Sequence, residues 1–293
     1  MEEALEYFSV FGGLGWEIDT DLPLTVLIET VILDNYGHLY NQIAERTFGD
    51  PLYDAILSGV ALSDRRTQTA FKHARVSQSV GEEAIDYLVQ NALVVVEHSR
   101  ESAPHKDYPA QKLKKEVEKH IISDKLNFTS PFLRFWFSFI APQAKNIQEG
   151  NYEKLFENFE RRGHGYSSLI FERLSAELLQ HLSVTDPIVE ISSYWDRQIE
   201  IDILAKTASG KVFVGECKYT NTNINKSEFT KLKEKCLHVN IKADTFAFFS
   251  KRGFSHELTS LQSNTLQLYT LDDFKQLLEN ITKEEKIAGF ELP

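Results

Sequence analysis

The chain has 293 residues, 42% hydrophobic and 26% charged, with a formal net charge of −11 and two cysteines. Its length suits two or three modules, each able to bury a core, and its composition is that of a soluble globular protein. The acid excess argues against a surface coated in nucleic acid, and no apolar run approaches the ~18 residues that span a bilayer.

The opening MEEALEYFSV lacks the basic and apolar regions of a secretory signal. Cys217 and Cys236 form neither a disulfide framework nor a zinc spacing. A reducing, cytoplasmic setting without a membrane is therefore expected. The charge is segregated. Residues 1–50 hold ten acids against Arg46, a net of −9, whereas residues 206–252 hold ten Lys or Arg against four acids, a net of +6. A phosphate-binding surface belongs in the second stretch, and the acidic first stretch suits docking on a basic protein partner.

Along the chain, FGGLGW is a Gly-rich turn without the Lys and spacing of a phosphate loop, so no ATP site is expected in this chain. An apolar helical pattern then runs from Pro23 to about Ala44, with Leu24, Leu27, Ile28 and Val31 on one face. Residues 51–104 read as three helices and a small hairpin: DPLYDAILSGVAL, DRRTQTAFKHA with Asp64 as its cap, SVGEEAIDYLVQNA, then the strand LVVVE. That order is similar to a winged helix. Arg65 and Arg66 are its candidate phosphate contacts, but Glu82, Glu83 and Asp86 on the third helix would repel phosphate, so a protein-packing role stands equally beside a DNA-binding one. Residues 105–160 read as a mixed-charge linker helix, KLKKEVEKHIISDK, followed by the aromatic helix of SPFLRFWFSFIAP, assigned to core.

Residues 161–293 open at Gly163 and Gly165 and continue with the amphipathic helix SLIFERLSAELLQHL. Three strands follow, IVEISSYW, QIEIDILAK and KVFVGECKY, then the helix NKSEFTKLKEKCLHV, a strand in DTFAFFSKRGF, and LQLYT with a closing helix. The fold class is α/β (α+β overall): a helical N-terminal region with a winged helix, then an αβββαβ domain.

The run VFVGECKY reads as a buried strand, yet it carries Glu216 and Lys218 two residues apart and hence on one face. Asp202 lies on the preceding strand, Gly215 permits close backbone approach, and Glu172 lies on the preceding helix. Paired carboxylates repel unless a proton or cation is shared, and a hard divalent ion answers that need. Lys218 could then orient the attacking water, depress its pKa, or contact a scissile phosphate. The bland alternative is a cross-strand Lys–Glu pair on a solvated edge, against which Val212, Phe213 and Val214 speak.

EIDILA and VFVGECKY with the upstream FERL helix resemble the PD-(D/E)XK nuclease superfamily, which includes restriction endonucleases and archaeal Holliday-junction resolvases. More closely, residues 50–293 resemble the C-terminal half of archaeal-type ATPases, the DUF234 region, through SPFLRFWFSFIAP, GYSSLIFERL, EIDI, GECKY and FFSKRGF. The resemblance implies a restriction-endonuclease-like domain with Glu172, Asp202, Glu216 and Lys218 as its site. Against that family, residues through Ala44 are expected to be only a remnant of the ATPase domain, so a partner would supply ATP-driven action in trans, or none is needed.

The expected function is a metal-dependent DNA nuclease. Mg²⁺ or Mn²⁺ would be held by Asp202, Glu216, the Cys217 carbonyl and Glu172, while Lys226, Lys231, Lys233 and Lys235 touch phosphates. The alternative is a non-catalytic module that binds DNA or protein. Resolvase-like nucleases often act as dimers, which makes a homodimer a further candidate assembly.

Overall fold

The computed structural model describes residues 1–102, 108, 111, 112, 115 and 120–278. They form two compact units, one built on Met1–Glu97 and Lys125–Ile170, the other on His98–Asp124 and Phe171–Glu279. Much of the expected linker helix and the end of the expected closing helix lie outside the described residues. No helix among the described residues is long and apolar enough to cross a membrane.

In the first unit the helix Glu2–Phe11 leads through the Gly-rich turn to a segment that the sequence predicts as one helix. It is divided instead: an α turn at Leu24–Leu27 widens into a π-helical turn at Ile28–Leu33, and a new helix runs Tyr36–Thr47. The division falls at Asp34 and Asn35, whose polar side chains compete with helical bonding. Asn35 Nδ2 donates to the carbonyls of Thr30 and Val31 at 3.3 and 3.1 Å and so closes the first segment.

Three helices follow, Pro51–Leu62, Thr67–Ala74 and Gln78–Gln90. Asp50 caps the first through the Leu52 amide and Ser77 caps the third through the Val80 amide. Asp64 does not cap the second; it accepts from the Arg66 amide in the turn ahead of that helix. Strand β1 (Val94–Glu97) pairs antiparallel with β2 (Lys125–Phe128), and Arg66 bridges to Lys125. This is the element order expected of a winged helix, but the returning strand lies well beyond residue 104. Glu82, Glu83 and Asp86 are exposed on the third helix.

The aromatic segment forms the helix Pro131–Phe135, continues as a π turn at Trp136–Ile140, and is buried throughout except at Arg134. Its rings join a core that also takes Leu27, Ile28 and Ile32 from the first fifty residues and Ile56, Leu57 and Leu88 from the three helices. One core thus serves all three stretches. Arg134 is tolerated because its guanidinium lies 4.0 Å over the Tyr166 ring and donates to the Tyr166 carbonyl at 2.8 Å.

The second unit follows the helix Ser168–Leu182 with a five-stranded sheet of order β3-β4-β5-β6-β7. The strands are β3 (Ile188–Trp195), β4 (Glu200–Thr207), β5 (Val212–Lys218), β6 (Thr245–Ser250) and β7 (Leu266–Thr270). The first three form an antiparallel meander, and β5, β6 and β7 are parallel, with the helix Lys226–His238 as the β5–β6 crossover. Asp186 pins the β4–β5 turn by accepting from Thr207 Oγ1 and from the amide and hydroxyl of Ser209. Those bonds hold its carboxyl below the usual range. Strand β5 is the centre of the sheet, and four consecutive residues, Val214 to Cys217, are buried in it. The expected αβββαβ order is present.

Candidate active site

The site begins where two strands part. The β4–β5 ladder runs from Lys206 opposite Val212 to Ile203 opposite Gly215 and ends there. Gly215 eases the packing at this last pair, since a Cβ on it would press on Ile203 Cβ at 3.0 Å. One step further along the same register stand Asp202 and Glu216, and residues directly opposite in an antiparallel pair share a face. Side chain replaces main chain at this point: Asp202 Oδ2 accepts the Cys217 amide at 2.7 Å.

The electrostatics are unusual for a sheet. Burial, the Glu216 charge and the Glu172 charge push the Asp202 carboxyl up to about 8, against a bond from Cys217 and the nearby Lys218 ammonium. Glu216 is 5% exposed, and two ammonium groups hold it, Lys218 Nζ on Oε1 at 2.6 Å and Lys235 Nζ on Oε2 at 2.8 Å. Burial opposes the charge on Lys218, but Glu216 outweighs it and the ammonium pKa rises. Glu172, half-buried on the Ser168–Leu182 helix, acts on Asp202 through its charge. Ser175, three residues on, bonds the buried Cys217 thiol, whose pKa burial pushes well up.

The four residues that the sequence pattern nominates are thus brought into one electrostatic neighbourhood. The other nominees have local partners. Lys226 pairs with Glu257 at 2.8 Å, Lys231 with Glu228 at 2.7 Å, and Lys233 lies 3.9 Å over the Phe229 ring. Arg65 donates to Asn127 Oδ1, and Arg66 lies 3.6 Å from Asp64. Lys235 alone of those six pairs with Glu216. Its spacing from Glu228 and Leu232 at i+7 and i+3 on the inward stripe was the available signal, and Ser175 could have been found the same way, one turn from Glu172.

Asp202, Glu216, Glu172 and the Cys217 carbonyl all offer oxygen, the donor type that a hard divalent ion takes. The raised proton affinity of Asp202 comes first from its burial and then from the charges of Glu216 and Glu172. Among the described residues, however, no three His, Cys, Asp or Glu groups gather as for a metal. Glu216 is committed to its lysines.

Residues 136–234 match the DUF234 family, described as archaea bacterial proteins of unknown function. That is narrower than the 50–293 over which the resemblance was drawn, yet it includes Glu172, Asp202, Glu216 and Lys218. No curated protein matches the chain. Protein VC1899 from Vibrio cholerae, a solved structure, is similar at 13% identity and a TM-score of 0.31, over 83% of this chain and 58% of that one. The chain therefore spans little more than half the length of that protein.

Proposed function

We propose that the second unit is a metal-dependent nuclease acting on DNA phosphodiesters. The observation that carries this reading is the meeting of Asp202 and Glu216 at the end of the β4–β5 ladder, with Lys218 bonded to Glu216 and Glu172 acting on Asp202. Asp202, Glu216, the Cys217 carbonyl and Glu172 would hold Mg²⁺ or Mn²⁺, which supplies charge at the phosphate and a water of lowered pKa.

The chain's own groups divide the remaining work. Asp202 would serve as a ligand in its unprotonated form, and the Cys217 amide donates to its Oδ2 and so restrains the carboxyl group. Lys218 extends its ammonium from the same face as Glu216, where it can orient a water or meet a non-bridging phosphate oxygen. The basic stretch 206–252 favours a polyanionic substrate. Two free, buried cysteines accord with a reducing, cytoplasmic setting. The acidic first fifty residues suit a basic protein partner, and a homodimer is compatible with this class of nuclease.

A second reading has a specific observation behind it. Glu216 is occupied by two lysines, as it would be in a nuclease fold kept only for binding DNA or protein. Cleavage of a mixed panel of labelled DNAs, with Mg²⁺, Mn²⁺ or EDTA, separates the two. Metal-dependent cutting that disappears in Glu216→Ala supports the enzyme. No cutting, with no ion binding by calorimetry, leaves the binding module.

A further inference from the structure

The first unit holds a cavity of about 580 Å³, the size of a ligand site, that the nuclease reading does not use. Three parts of the chain wall it: the helix Glu2–Phe11, the turns Leu24–Leu27 and Ile28–Leu33, and the helix Glu153–Tyr166. Val10 and Leu24 give it aliphatic wall, and Phe156 and Phe159, three residues apart on one helix, give it aromatic wall. Gly163 stands one turn beyond Phe159 in the helix interior, where glycine is unfavourable. Nothing presses on that position, since a Cβ there would meet only the Phe159 ring, at 3.9 Å. The glycine leaves room in the cavity rather than letting two backbones meet.

The polar groups of this wall lack partners. Glu6, Glu29 and Glu160 line the cavity, one from each part of the wall, and none is ion-paired among the described residues. The arginines nearby are turned to other groups: Arg161 Nη2 donates to Asn158 Oδ1 at 2.7 Å, Arg162 to the Ser138 carbonyl at 3.5 Å, and Arg134 to the Tyr166 carbonyl. Ser167 also lines the cavity. It is 3% exposed, and its hydroxyl makes no hydrogen bond among the described residues. A buried hydroxyl is costly to leave without a partner, and a ligand in the cavity would supply one. The surroundings have the sign of the three carboxylates, since residues 1–50 carry a net charge of −9.

An occupant must therefore bring an apolar body, a positive charge and hydrogen-bond donors. The arginine side chain has all three: an apolar stem, a planar guanidinium that stacks on rings, and five N–H groups for carboxylates and a hydroxyl. We propose that the cavity is the docking site for an arginine-bearing basic segment of a partner protein. One Arg side chain lies against Phe156 and Phe159, and its guanidinium donates to the carboxylates of the wall and to Ser167 Oγ. The occupant is a protein segment rather than a free amine because the acid excess runs far beyond the cavity. Of the ten acids in residues 1–50, only Glu6 and Glu29 line it, and further basic residues of the segment meet the others. The inference rests on the reading of the acidic first fifty residues as a docking surface and is independent of any cutting by the second unit.

Fluorescence anisotropy of the full chain tests it, with a fluorescein-labelled peptide of repeated Arg-Leu-Ser as probe, a Glu-Leu-Ser peptide as counter-probe and agmatine as competitor. The Arg peptide should bind and the Glu peptide should not. Gly163→Leu, which fills the cavity, should weaken the Arg peptide at least ~10-fold, and so should Glu29→Gln combined with Glu160→Gln. Glu17→Gln combined with Glu45→Gln removes the same charge from exposed positions outside the cavity and should change affinity by no more than about twofold. Circular dichroism checks folding, and the Glu29 and Glu160 pair carries the test if Gly163→Leu does not fold. Equal weakening by the two glutamine pairs, with Gly163→Leu binding as wild type does, removes the cavity and leaves a diffuse docking surface. Agmatine that binds as tightly as the peptide assigns the cavity to a free amine and overturns the protein partner. No binding of the Arg peptide overturns the cavity site and the docking surface together.

Discussion

Arg134 and Glu216 are both charged residues inside apolar runs, one in the aromatic segment of the first unit and one in the central strand of the second. Arg134 is satisfied by fixed partners: a carbonyl and the ring of the same residue, Tyr166. Glu216 has two ammonium groups on one carboxylate and a neighbour, Asp202, that holds a proton up to about 8. A buried charge is a structural fixture when rigid, neutral groups complete it. It is a candidate for chemistry when its partners are themselves ionisable and the charges around it do not cancel.

Substitutions can break that contrast. The largest effect is expected for Lys218→Met, which should lower metal-dependent cutting by about 10²–10⁴-fold while the far-ultraviolet spectrum is unchanged. Cutting that survives intact would move Lys218 into the same class as Arg134.

Next comes pH. In EDTA the Asp202 carboxyl binds a proton more tightly in the folded chain (about 8) than in the unfolded one (3.8). Its contribution to stability is complete below about 3.8 and is lost as pH rises through about 8. Asp202→Asn should therefore gain on wild type in urea midpoint across that window and hold its advantage above it. Parallel profiles for the two proteins would show that Asp202 is not the strained group. The smallest effect is for Arg134→Met, which should lose about 1.5–3 kcal/mol in urea unfolding and cut DNA as wild type does. A loss of cutting without a loss of stability would reverse the comparison.

Much of this was legible in the sequence because two signals coincided. The period-2 alternation of QIEIDIL and VFVGECKY fixed the hairpin, and Gly215 marked the place where Ile203 comes close. The aromatic run was readable as core since ten residues with a single charge have few other places to go. What escaped was set by contacts distant in sequence. KLNF lacks the branched and aromatic density of a strand, and it becomes one only because β1 and Arg66 offer it partners. The break at Asp34 and Asn35 was hidden under an unbroken apolar pattern. Lys235 is grouped with its neighbours as a phosphate contact in the sequence because charge composition does not record which way a helix is turned.

The bond from the Cys217 amide to Asp202 has a consequence for hydrogen exchange. Amides in the middle of β5 are held by neighbouring main chains and open only when the sheet does. The Cys217 amide is held by a side chain that takes up or releases a proton, and would turn toward an ion if one bound. Its exchange rate is then tied to the state of one carboxyl, while that of its neighbour at Gly215, at the end of the regular ladder, follows the sheet. Two positions on one strand, two residues apart, would thus run on different clocks, and the difference between them would register the loading of the site even where nothing is cut.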